Sequence, residues 1–107
     1  PVTVTEMLVK VPRVGYTCPA KDLDVMLFDR PSGEECLMAE PLAKLSMTTS
    51  METGFVKHVF SVPISGVLSV LLVGRTVWGE TTENVDIQYV TFGGYRGPHA
   101  FPSASFL

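Results

Sequence analysis

Between Phe55 and Phe92 three β-rich runs, FVKHVFSV, GVLSVLLV and VDIQYVTF, follow one another with proline and glycine as punctuation. β-Branched and aromatic side chains suit a pleated, half-buried surface, and short runs bounded by turn residues favour antiparallel strands. The stretch reads as the centre of an all-β domain. The expected architecture is an antiparallel β-sandwich, jelly-roll or Ig-like, of about seven to eight short strands, with a small barrel as the neighbouring solution.

The chain has 107 residues, the size of one domain with one core, so 1–107 is read as a single unit. Hydrophobic residues make up 46% and charged residues 18%, which is more apolar and less charged than an average soluble domain. Either the core is unusually full or apolar surface is kept for a partner. The longest apolar run, Val67 to Val73 with its flanks, falls far short of the ~20 residues that a membrane-spanning helix needs, and no basic segment followed by an apolar stretch opens the sequence. Pro1 is compatible with removal of an initiator Met, with a processed mature end and with a boundary excised from a longer protein.

In Val2 to Val11, VTVTEMLVKV, neither face is cleanly apolar, so residues 1–12 are expected to form an edge strand, a partly paired linker or an arm added to a neighbouring subunit. LDVMLF, from Leu23 to Phe28, puts Leu23, Val25 and Leu27 on one face and ends in the turn signal Asp29-Arg30-Pro31-Ser32-Gly33. A short strand is expected around Cys36 to Met38. Residues 39–46 read as one helical turn, since Leu42 and Leu45 sit three apart among good helix formers, or as a strand bearing Leu45 and Met47. Residues from Thr48 to Gly54 form a polar connection.

For FVKHVFSV the face of Val56, His58, Phe60 and Val62 is the better core candidate. GVLSVLLV is apolar on both faces, which implies a central strand covered on both sides or one whose outer face meets a partner. Arg75 to Trp78 reads as a short strand, and VDIQYVTF as a strand with Val85, Ile87 and Tyr89 inward, broken by Gly93-Gly94. Residues 93–107, rich in Gly and Pro with Tyr95, Phe101 and Phe106, are expected to form an irregular C-terminal arm, docked or disordered.

Charge is uneven although the net value is only −3. Residues 22–40 hold six acids, Asp22, Asp24, Asp29, Glu34, Glu35 and Glu40, against one base, Arg30. The bases elsewhere are scattered without a basic run, which disfavours nucleic acid as a partner. Asp22 and Asp24 place two carboxylates on one side of a strand, the donor type that calcium takes, against the simpler reading of a solvated acidic segment. Cys18 and Cys36 lack zinc-ligand spacing and are read as buried thiols or one disulfide. His58 reads as a core or subsurface histidine rather than a ligand, and His99 lies in the tail. No GxSxG, P-loop, HExxH or CxxC pattern stands in the chain, so an enzyme is not expected.

The sequence therefore favours a non-catalytic interaction or assembly module that associates with itself or with a protein partner, without cofactor. Leu71, Leu72, Tyr95, Phe101 and Phe106 are the candidate interface residues. By fold-level analogy, a protruding domain of a larger assembly such as a virus capsid protein is one setting, in a virion, on a surface or outside the cell. The alternative is a secreted or surface binding domain for a small apolar ligand lined by the five methionines. A small hydrolase is the third reading.

Overall fold

The computed structural model describes residues 1–13, 18–79 and 84–96. Six strands and one helical turn follow in order: β1 (Val2–Lys10), β2 (Asp22–Phe28), α1 (Glu34–Met38), β3 (Ala43–Thr48), β4 (Phe55–Val67), β5 (Ser69–Gly74) and β6 (Tyr89–Arg96). They form two three-stranded antiparallel sheets, β4-β1-β6 and β3-β2-β5, neither of which closes into a barrel. After β3 the chain alternates between the sheets, so the core is made almost wholly from contacts distant in sequence.

The central strands β1 and β2 supply most of that core. Val4, Met7 and Val9 from the first and Leu23, Val25 and Leu27 from the second are buried, joined by Val11, Ala20, Met47 and Val67. Full burial of such a side chain is worth ~1.5–3 kcal/mol, so this cluster is the main source of stability. In β2 the alternation Leu23, Val25, Leu27 is the one read from sequence.

β1 is central and not the edge strand or linker expected for residues 1–12. The cause is a bulge. The pairing of β1 with β6 slips by one residue between Val4↔Gly94 and Glu6↔Gly93, which leaves Thr5 as the extra residue and changes the parity of the inward side chains from Val4 to Met7 and Val9. Read without the bulge, the same apolar residues scatter over two faces. The partner strand passes through Gly93 and Gly94 where a break was expected, because a Cβ on Gly94 would overlap the carbonyl oxygen of Thr3 and one on Gly93 would lie 2.6 Å from Cγ of Glu6. These glycines serve close strand approach rather than a turn, so residues 93–96 belong to β6 and not to an irregular arm.

A second irregularity lies in β4. Between Val4↔Ile64 and Glu6↔Val59 this strand carries three extra residues, and Pro63 falls within that bulge, where a missing N–H is tolerated. Val56 and Phe60 pack against the core as expected, but the bulge turns Val62 out to 70% exposure and brings in Ile64 and Val67 instead.

GVLSVLLV proves to be two elements. Val67 ends β4 in one sheet, Gly66 takes φ +77° at the exit, and Leu68 donates its N–H to the carbonyl of Phe28 at 2.8 Å as the chain enters the other sheet. β5 is therefore an edge strand, with Val70 and Leu72 against the core. Its apolar residues serve two sheets, which is why they showed no period.

The helical turn falls at Glu34–Met38 and not within 39–46, and it replaces the strand expected at Cys36 to Met38. The turn Pro31-Ser32-Gly33 sets up its start, two glutamates favour its first turn, and Cys36 tucks in while Leu37 and Met38 point outward. Ala43–Thr48 is the strand alternative, with Ala43, Leu45 and Met47 inward and Lys44, Ser46 and Thr48 outward. At Arg75 to Trp78 only a bridge forms, Val77 with Ala20, and Asp86 bridges Pro19. Ile87 and Val90, rather than Val85, Ile87 and Tyr89, reach the core, because regular pairing in β6 starts only at Tyr89.

Candidate functional site

Alternation in β2 sends Asp22, Asp24 and Met26 to the outer face of the β3-β2-β5 sheet. Here the two carboxylates meet a row of hydroxyls. Thr48 and Thr76 donate to Asp22 at 2.7 and 2.6 Å, and Ser46 donates to Asp24 at 2.7 Å. Arg75 adds its Nε to the same Asp24 oxygen at 3.1 Å. The hydroxyl of Thr76, then that of Thr48, holds the Asp22 carboxyl below its ordinary value, and the Ser46 hydroxyl does the same for Asp24 with help from Arg75. A cation at Asp22 and Asp24 would have to displace these donors. Among the described residues, no three His, Cys, Asp or Glu side chains come together as a metal would need.

The candidate interface residues separate in space. Leu72 packs inward on the core. Leu71 lies opposite Met26 on the outer face and lines a small cavity of about 60 Å³ with Phe28, Cys36 and Leu37 beneath α1. Tyr95 sits in β6 opposite Thr3, and among the described residues its buried hydroxyl finds no hydrogen-bond partner. Phe101 and Phe106 lie outside the described residues, as does His99.

A surface that sequence reading passed over is the edge of β4. From Phe55 to Val59 this strand pairs with β1 in one unbroken register, and no strand covers its other edge among the described residues. On its outer face Phe55 is 40% and Val59 63% exposed. Lys57 between them reaches Glu6 at 3.4 Å, and Lys10 stands over the Phe55 ring at 5.9 Å. The signal was present in FVKHVFSV, whose discarded face still carries Phe55 and Val59. On the inner face His58 meets Phe60 edge to face at 4.7 Å, in keeping with a subsurface histidine.

A groove of about 330 Å³ lies where β1 meets β6, lined by Val2, Val4 and Phe92 with Thr3, Tyr95 and Arg96 as its polar members. The methionines do not gather there. Met7 and Met47 are core, Met26 lies on the outer face of the β3-β2-β5 sheet, and Met38 and Met51 are exposed. Cys18 and Cys36 are both buried beyond opposite ends of β2, about 20 Å of strand apart, far outside disulfide reach.

Comparison with protein-family models, curated proteins and solved structures gave no match. Among the described residues no helix is long and apolar enough to cross a membrane.

Proposed function

We propose that this chain is a non-catalytic β-sandwich module whose work is association with protein through the open edge of β4. One observation carries the reading: a strand of unbroken register, uncovered among the described residues, with exposed Phe55 and Val59, whose intervening charge is already engaged by Glu6. Natural edges are usually guarded by a free lysine, a proline or an early bulge. Here the lysine is paired, and both the bulge and Pro63 come only after the straight stretch. An extended segment can then add as a further strand, with main-chain hydrogen bonds supplying affinity and Phe55 and Val59 supplying contact area.

Amide hydrogen exchange across a concentration series tests this, read beside light scattering. Protection that rises at residues 55–60 together with mass above 11.7 kDa supports the reading. Protection that rises elsewhere removes the edge from the function.

The groove beside β6 supports a second reading, a site for a small apolar ligand with a hydrogen-bonding group. Its volume lies at the lower end of ligand sites, and the Tyr95 hydroxyl lacks a partner among the described residues. Displacement of an apolar dye, lost in Val2→Trp at a half-exposed lining residue, would favour it.

A further inference from the structure

We infer that the occupant of the β4 edge is β4 of a second copy, antiparallel about a twofold axis at His58, so that two three-stranded sheets become one of six strands. The inference rests on the association reading and adds a partner and a register to it. Phe55 to Val59 holds one register against β1, and Phe60 continues its alternation onto the core before the irregular segment turns Val62 outward, so pairing is confined to roughly Phe55 to Phe60. A twofold axis perpendicular to the sheet keeps both inner faces on the same side, and side chains alternate with period two. Each residue then lies opposite one of its own parity.

Two registers pair five residues within Phe55 to Phe60. In one, Lys57 faces Lys57 of the second copy, and like charges directly opposite one another destabilise a strand pair. In the other, His58 faces His58, each Lys57 faces Val59, and Val56 faces Phe60. The second register opposes no like charges on the outer face, where the Lys57 stem can lie over the exposed Val59 while its ammonium keeps Glu6. On the inner face it sets apolar Val56 against apolar Phe60, both already partly buried on the core. The strand is thus complementary to itself in one register. That self-complementarity points to a second copy rather than a foreign strand.

Sedimentation equilibrium tests the pairing. The expected result is a monomer–dimer equilibrium whose mass approaches twice 11.7 kDa. Val59→Lys sets two like-charge pairs across the junction and weakens dimerisation roughly tenfold or more. Val59→Glu sets a carboxylate against each Lys57 and keeps or tightens the dimer. Both changes fall at a side chain 63% exposed, so the fold should be retained, which circular dichroism checks. Oxidation of His58→Cys links two copies, whereas Lys57→Cys, whose like positions are diagonal across the pair, links them far less.

A wild-type mass that stays at 11.7 kDa to about millimolar concentration overturns self-pairing and leaves the edge to a different protein. A dimer weakened equally by Val59→Lys and Val59→Glu overturns the register. A dimer indifferent to both overturns the edge itself, and with it the proposed site of association.

Discussion

Trp78 donates its indole N–H to the hydroxyl of Thr49 at 2.9 Å, and Thr49 donates in turn to the carbonyl of Ala20 at 2.7 Å. This relay ties the end of β3 to the segment before β2 and to the loop after β5. Lys21 closes it from outside, its ammonium 4.6 Å from the Trp78 ring centre. Thr49 is buried, so Thr49→Val keeps the shape but leaves one donor and one acceptor without partners. The expected cost is ~1–3 kcal/mol, read as a lower urea midpoint. Trp78 is the only tryptophan, so its emission should also shift, and an unchanged midpoint would mean that water replaces the hydroxyl.

Acid should weaken the β3-β2-β5 sheet through Asp22 and Asp24. Both folded-state pKa values lie below the ordinary 3.8, chiefly through the hydroxyls of Thr76 and Thr48 for the first and of Ser46 for the second. A depressed carboxylate contributes stability that is fully present above the unfolded pKa and is lost as pH falls through the folded one. The urea midpoint should therefore be flat near neutrality and fall below about pH 4, and Asp22→Asn should flatten that fall. Calcium should leave the midpoint unchanged, because hydroxyls and Arg75 already occupy the carboxylates. A rise with calcium that Asp22→Asn abolishes would instead establish a cation site there.

What was legible in the chain follows from where its period is kept. Leu23, Val25 and Leu27 alternate without interruption, and the face they share in the sequence is the one that the structure buries. Val4 and Met7 lie on opposite sides of a one-residue bulge, so no alternation rule assigns them both inward. Val67 and Val70 belong to different sheets, and a run that changes sheets looks apolar on both sides although neither half is central. The helical turn was misplaced because Leu42 and Leu45 suggest a helix locally, whereas Leu42 N–H bonds to the Leu27 carbonyl at 2.7 Å and continues into β3. The acidic stretch was read by charge alone. The hydroxyls that hold Asp22 and Asp24 come from β3 and from Thr76, more than twenty residues away, so no spacing rule could announce them.

The two glycines of β6 should respond differently to the same change. In Gly94→Ala the new methyl meets the main-chain carbonyl of Thr3, which the strand pairing holds in place. In Gly93→Ala it meets the Glu6 side chain, whose Cγ and Cδ lie 2.6 and 3.1 Å away and can swing aside. The first should cost at least ~2 kcal/mol in urea denaturation and the second clearly less. Equal costs would mean that loss of glycine flexibility, rather than close approach to Thr3, governs both.

Leu71 and Leu72 are neighbours in β5 with opposite fates, which makes them a test of how the doubly apolar run is divided. Leu72 packs against the core, so Leu72→Ala removes core packing at a partly buried site, with an expected cost of ~2 kcal/mol, near the low end for such truncations. Leu72→Glu should unfold the domain, because its carboxylate would face the core without a partner. Leu71 stands on the outer face beside Phe28 and Leu37, half-exposed, so Leu71→Glu should leave a folded protein with α1 loosened from the sheet. Amide exchange would show that loosening as faster exchange at residues 34–39 with β2 still protected. If self-association proceeds through β4, the dimer should survive Leu71→Glu. Loss of the dimer with the fold intact would move the interface from β4 to the outer face of the β3-β2-β5 sheet.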